Sequence, residues 1–124
     1  AQAEGEIIKV RIMSSDLAAT IAQGAVHTCR EKGYQAAAVV LDRAGNMIAA
    51  QRDTLASRHT LEIAERKAGL VVMSGVDSGD MRKNRVAGSL VGAVGVSGAP
   101  GGDIDAECAR GGIDKVRDIL DFAD

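Results

Sequence analysis

Residues 36–51, AAAVVLDRAGNMIAAQ, carry the strongest indication of how this chain folds. Ala36–Leu41 is a run of small and β-branched residues, which is typical of a buried strand. Asp42–Asn46 contains the residue types that form tight turns, and Met47–Gln51 predicts a returning strand. The stretch therefore predicts a β-hairpin, and consecutive hairpin strands imply an antiparallel sheet.

Three amphipathic segments surround this hairpin. The first helix is predicted to begin at Ser15, as its N-cap, and to end at Gly33. The second is predicted over Thr60–Ser74, and Asp103 or Asp105 could cap a third. Apolar residues recur at helical spacing in each segment and predict its buried face: Leu17, Ile21, Ala25 and Cys29 in the first; Leu61, Ala64, Ala68 and Val71 in the second; Ala109, Ile113, Val116 and Leu120 in the third.

A further strand and a polar segment complete the predicted order. Ser89–Ser97 is apolar and glycine-rich, which indicates a buried strand that another element approaches closely. Asp80–Arg85 is polar and basic and is predicted to be a solvated loop. Cys29 and Cys108 are expected to be small core residues with free thiols. The predicted order is α-β-β-α-loop-β-α, an α+β fold.

The composition limits the classes of protein to which this chain can belong. The 124 residues fit one domain, and 46% hydrophobic with 26% charged residues is an ordinary globular composition. A net charge of −2 does not indicate the strongly basic surface that binds nucleic acid. No apolar run approaches the length of a membrane helix, so a membrane span is not expected.

The sequence nominates no dedicated catalytic centre. It lacks the glycine fingerprint of dinucleotide-binding folds, the P-loop and the Gly-x-Ser-x-Gly elbow. Ser97 is the nearest candidate nucleophile, but a serine at a strand end is more often a turn former. An enzyme with its own nucleophile and base is therefore the least favoured class.

Two histidines and one acidic cluster are candidate ligand residues. His59 precedes the second helix with Glu62 three residues on, so the pair could bind a metal or orient a ligand, although a capping or exposed histidine is the more common case. His27 lies on the polar face of the first helix, available to a cofactor or exposed to solvent. The cluster of Asp103, Asp105 and Glu107 resembles a set of cation ligands but is better explained as charge at a helix N-terminus.

Four stretches together resemble the GlcG/HbpS-like haem-binding family, also called DUF336. They cover nearly the whole chain, and the Asp-Arg-x-Gly-Asn turn combined with a glycine-rich strand is the specific feature. The stretches are Gly33-Tyr34 with Ala38–Asn46, Gln51–Asp53 with His59–Leu61, Ala64–Ala68, and Val91–Gly102 with Cys108-Ala109.

The resemblance implies a single profilin-like domain with three α/β/α layers around a central antiparallel sheet. It also implies assembly into homo-oligomers, often octamers, and binding of haem, with His59 or His27 on the iron and Arg58 near a propionate. One characterised relative is an extracellular redox sensor that degrades haem, and here any degradation would be coupled oxidation. Other relatives are associated with glycolate utilisation or corrinoid enzymes, which implies the alternative of a non-haem module that binds a small metabolite.

The chain departs from the family pattern at one place. Members carry a Gly-Gly-x-Pro-Ile strand before the glycine-rich strand, whereas here Asn84-Arg85 runs almost directly into Val86–Ser89. Either the sheet has lost a strand or part of this region is missing from the chain. The sequence leaves the compartment open, cytoplasmic or, after removal of a signal segment, periplasmic or secreted.

Overall fold

The computed structural model describes residues 5–74, 81–86 and 89–121. Four helices and four strands occur in these ranges, and their order differs from the predicted one by one added strand and by a division of the last helix. In chain order they are α1 (Ser15–Glu31), β1 (Ala37–Asp42), β2 (Met47–Arg52), α2 (Thr60–Ser74), β3 (Met81–Val86), β4 (Ser89–Ser97), α3 (Gly102–Asp114) and α4 (Arg117–Asp121).

The described strands form one antiparallel sheet in the order β2-β1-β4-β3. Successive residues of β1 point to opposite faces of this sheet. Ala38 and Val40 pack with α1 and α3 on one face, whereas Val39 and Leu41 pack with α2 on the other. The structure thus has three layers, α1/α3, sheet and α2, and confirms the α+β, profilin-like α/β/α fold.

The predicted hairpin is formed by β1 and β2, and β2 lies at one edge of the described sheet. Both Ala44 and Asn46 donate their backbone N–H to Asp42 Oδ1, each at 2.9 Å. These hydrogen bonds, that of Asn46 first, hold the pKa of Asp42 below its ordinary value. Gly45 adopts φ +89°, a conformation that side chains other than glycine rarely allow. The Asp and Gly of the turn motif are therefore explained by local geometry.

The helix ends follow the predictions in part. Ser14, not Ser15, caps α1, because its Oγ accepts the backbone N–H of Leu17 at 3.1 Å. Gly33 ends α1 at φ +91°, as predicted. The prediction that Asp103 or Asp105 caps α3 was wrong, since the N-cap is Gly101 without a side-chain bond. Except for the half-buried Leu17 and Leu61, the residues predicted to form the buried helix faces are buried.

The prediction of a loop at Asp80–Arg85 was also wrong for residues 81–85, which the structure describes. Met81–Val86 forms β3, which pairs with β4 along the edge of the sheet. Edge strands commonly carry charged residues, so a polar, basic segment can be a strand when a neighbour supplies backbone partners. The sheet therefore has a strand at the position where the sequence suggested a loss.

Cys29 and Cys108 form a disulfide, which corrects the expectation of free thiols. The bond joins α1 to α3 across 79 residues of sequence, and both cysteines are fully buried. The two helices are already in close contact, because a Cβ on Gly112 would come within 2.9 Å of the Ala25 backbone nitrogen. The disulfide thus joins two helices that are already closely packed.

Replacement of Gly95 by Ala tests the packing of α2 on β4. A Cβ at this position would collide with the backbone of Ala64 and lie 2.8 Å from the backbone nitrogen of Ala68. Because backbone atoms cannot move aside, we expect the free energy of unfolding to fall by about 1–3 kcal/mol. Urea denaturation measures it. Gly69→Ala in α2 is the control, since a Cβ there meets nothing within 4 Å, and it should raise stability by about 0.5–1 kcal/mol. Equal effects of the two substitutions would contradict this account.

Loss of the disulfide should lower the free energy of unfolding by about 2–5 kcal/mol, because the bond closes a long loop in the unfolded chain. Urea denaturation of the wild type with and without dithiothreitol measures the effect. The double variant Cys29→Ala/Cys108→Ala should match the reduced wild type and should not respond to dithiothreitol. A wild type that is equally stable in both conditions would show that the bond contributes nothing.

Candidate functional site

A shallow groove of about 400 Å³ runs between α1, the end of β2 and the junction of α3 with α4. Most of the residues that line it are polar or basic, and the stems of their side chains contribute apolar surface. The lining residues are Thr20, Gln23, Gly24, His27, Arg30, Gln51 and Lys115. One of the two histidines singled out in the sequence therefore lies in a concave site beside two permanent cations.

His27 is held in this groove by the periodicity of α1. Its predicted position on the polar face is confirmed, and its side chain is half-exposed. The imidazole Nε2 lies 3.5 Å from Oε2 of Glu31, one helical turn further along α1. A histidine that binds a metal usually directs its other ring nitrogen to a carboxylate. With Nε2 turned toward Glu31, Nδ1 is the nitrogen that remains for a ligand.

Lys115 reaches the groove from the residue that follows α3. Its side chain lies over Gly24, where an added Cβ would be 2.8 Å from the Lys115 Cγ. The absence of a side chain at residue 24 thus allows the lysine stem to cross α1. Sequence reasoning did not identify Lys115, since no local motif links it to α1.

Arg30 is fixed by a buried carboxylate beneath the groove. Its Nε and Nη2 donate to Asp53 Oδ2 and Oδ1, both at 3.0 Å, and Asp53 is only 4% exposed. Gln35 Nε2 and the backbone N–H of Thr54 also donate to this carboxylate, at 3.1 and 2.8 Å. The hydrogen bonds from Arg30 are the main reason that the pKa of Asp53 is lowered, and the same pairing raises the pKa of Arg30. Arg30 is therefore held in place as a charged group.

His59 and Arg58 lie elsewhere, in the loop before α2. Both are exposed, and His59 Nδ1 is 3.8 Å from Glu62 Oε2, so the predicted His59–Glu62 pairing exists at ion-pair distance. This loop leads into the α2 layer, whereas His27 belongs to the α1 layer across the sheet. The structure thus does not bring the two candidate histidines together in one protomer.

The predicted acidic cluster is divided among different partners. Asp105 is buried, and its Oδ2 accepts from Lys67 Nζ at 3.0 Å while its Oδ1 accepts the backbone N–H of Ala99 at 3.1 Å. Glu107 pairs with Lys32 at 2.9 Å. Within the ranges that the structure describes, no group of three or more His, Cys, Asp or Glu side chains is placed to hold a metal ion. Asp105 instead fixes the glycine-rich loop to α2.

A second pocket, of about 430 Å³, adjoins this loop at the start of α3 and is lined by Pro100–Ile104. A helix N-terminus can attract an anion, so this pocket is where the small-metabolite alternative would place a small carboxylate. Here Asp103 lies in the first turn of α3 and Asp105 beneath the loop. Their negative charge opposes the binding of an anion. This pocket is therefore a weaker candidate for a ligand site than the His27 groove.

Protonation of Asp53 should lower stability at acid pH. Its pKa is lower when folded, so the charged form stabilises the protein above the ordinary Asp pKa of about 3.9, and this contribution is lost as pH falls through the lower value. Asp53→Asn should cost about 1–3 kcal/mol at pH 7, and its deficit relative to wild type should shrink below about pH 4. Urea denaturation across this pH range measures the difference. The exposed Asp103→Asn is the control, and a deficit independent of pH would contradict the assignment.

Solved structures with the same fold are available for comparison. A double mutant of HbpS from Streptomyces reticuli has a TM-score of 0.80 and 23% identity over 94% of each chain. Klebsiella pneumoniae protein ORFY has a TM-score of 0.80 and 19% identity over 91% of this chain and 96% of its own. PduOC in a haem complex has a TM-score of 0.75 and 18% identity over 84% and 94%. These structures share the fold.

The sequence itself identifies the family. No curated protein is significantly similar to the chain. The family model described as haem degrading protein HbpS-like matches residues 13–86, which is more than half of the chain and includes α1, the hairpin, α2 and β3. The resemblance seen in the sequence is thereby confirmed, and the chain belongs to the HbpS-like family of haem-degrading proteins.

Proposed function

We propose that this protein binds haem in the groove between α1, β2 and the α3–α4 junction, with His27 as the iron ligand. The observation that carries the proposal is the position of His27 in a groove with Arg30 and Lys115 on the same surface. Membership of the HbpS-like family and the fold shared with a PduOC–haem complex support it.

The residues of the groove match the polar parts of haem. An imidazole nitrogen is the commonest protein ligand of haem iron, and Glu31 can orient the His27 ring through the other nitrogen. Arg30 and Lys115 supply the positive charge that the propionates require, and Arg30 is already held by Asp53. Haem, when bound, supplies redox and oxygen chemistry to which the protein adds binding and access.

The apolar faces of the porphyrin need a cover that one protomer does not provide. The groove is open on one side, so it cannot enclose the ring. A second copy of the chain that closes over the ring would exclude water from it and would strengthen the contacts with iron and propionates. The proposed function therefore includes a homo-oligomer in which haem lies between subunits.

His59 is retained as the competing ligand, with Arg58 as its propionate partner. Both are exposed in the loop before α2, and Glu62 lies near the His59 ring. Neither residue lines the His27 groove or the pocket at the start of α3. The comparison of two single histidine variants decides between the sites.

Titration of haem into the purified protein, followed by the Soret band, tests the proposal. The wild type should give a shifted Soret band at a stoichiometric endpoint, and His27→Ala should lose the shift or weaken affinity by at least tenfold, because iron loses its ligand. His59→Ala is the matched control and should bind like wild type. Lys115→Glu should weaken binding with the band position unchanged, because it removes a propionate contact and leaves the iron ligand.

Two results would contradict the assignment. No Soret shift in the wild type would remove haem binding altogether. A loss of the shift in His59→Ala with normal binding by His27→Ala would move the iron to the loop before α2. Circular dichroism of each variant checks that the fold is retained, and both histidines are exposed, so their replacement should not unfold the protein.

A further inference from the structure

Another cavity lies next to the His27 groove, between the first turns of α1 and the short helix α4. Its volume is about 430 Å³, and we call it the Ile119 pocket. Thr20 and Lys115 line both the groove and this pocket. Because the two cavities share lining residues, they adjoin along α1.

One side of α1 lines both cavities. Leu17, Thr20, Gly24 and His27 follow one another at intervals of three or four residues, and each lines at least one of the cavities. Residues at this spacing lie on the same side of a helix. From Leu17 to His27 this side extends over about 15 Å. A ligand that is held at His27 can therefore extend along α1 toward the Ile119 pocket.

The two cavities differ in their chemistry. The lining of the Ile119 pocket is the more apolar of the two, through Leu17, Val116 and Ile119. Val116 is buried, whereas the Ile119 side chain is 59% exposed. A large apolar side chain exposed at the wall of a cavity is a surface that a ligand can cover. The groove offers an imidazole and two cations instead, so polar and apolar ligand groups have separate places.

The charged residues give these adjoining cavities a direction. Asp16, in the first turn of α1, lines the Ile119 pocket, and Lys115 lies where the pocket meets the groove. The carboxylate of Asp16 repels an anionic group, whereas Lys115 and Arg30 attract one. The propionates of haem project from one edge of the ring, and the opposite edge carries only methyl and vinyl groups. The charges therefore favour the orientation in which the apolar edge faces Ile119.

We propose that the Ile119 pocket is the subsite for the apolar edge of haem, and that Ile119 selects porphyrins with vinyl groups over more polar ones. This inference rests on the proposed function, because it takes haem as the ligand of the His27 groove. Vinyl groups gain by contact with aliphatic side chains. A hydroxyl group at the same edge of the ring would lose its hydration there, which disfavours a polar porphyrin.

Comparison of two haems that differ only in these substituents tests the proposal. In haematohaem, a 1-hydroxyethyl group replaces each vinyl group of protohaem. Soret titration should show that the wild type binds protohaem at least tenfold more tightly than haematohaem. In Ile119→Asn this ratio should fall at least fivefold, mainly through weaker binding of protohaem. The position of the Soret band should not change, because the iron ligand is retained.

Two further variants are the controls for this comparison. Leu70 is also 59% exposed, but it belongs to α2 on the other side of the sheet from the His27 groove, so Leu70→Asn should keep the wild-type ratio. Ile119→Leu retains an aliphatic side chain and should keep the ratio as well. A loss of structure would weaken the binding of both haems equally, whereas the loss of an apolar subsite changes their ratio.

Three outcomes would overturn the proposal. An unchanged ratio in Ile119→Asn, with haem bound normally by the wild type, would remove the subsite and leave the proposed function intact. An equal loss of affinity for both haems would show that Ile119 has only a structural role. A wild type that binds neither haem would contradict the proposed function, and the subsite with it.

Discussion

Close contact between backbones determines how this domain is assembled. At Gly95 there is no room for even one carbon atom between β4 and α2, and at Gly112 there is none between α3 and α1. The whole chain contains only two aromatic residues, so its core has little side-chain volume to separate the layers. The small residues let the layers approach until their backbones are in contact. Because backbone contacts do not adjust as side chains do, the orientation of α1 relative to α3 is fixed, and with it the position of His27 relative to Lys115.

The parts of the fold that could be predicted from sequence are those specified by local patterns. In the hairpin, in α2 and in β4, small apolar residues recur in a regular pattern and turn residues follow at the ends. The structure has these elements at nearly the predicted bounds. β3 could not be recognised, because its residues are polar and its strand conformation depends on hydrogen bonds to β4. The Cys29–Cys108 bond was missed for a similar reason, since cysteines at a sequence separation of 79 give no local indication that α1 and α3 meet.

The candidate site shows the same limit. The polar face of α1 placed His27 and Arg30 on one surface, which helical periodicity alone can predict. Lys115 and Asp53 come from distant parts of the sequence, and only the packing of α3 and the end of β2 brings them to α1. One indication of Asp53 was present in the sequence, an acidic residue directly after a strand, but its partner could not be inferred without the fold. Residues that hold a ligand-binding side chain in position are therefore harder to predict than the ligand-binding residue itself.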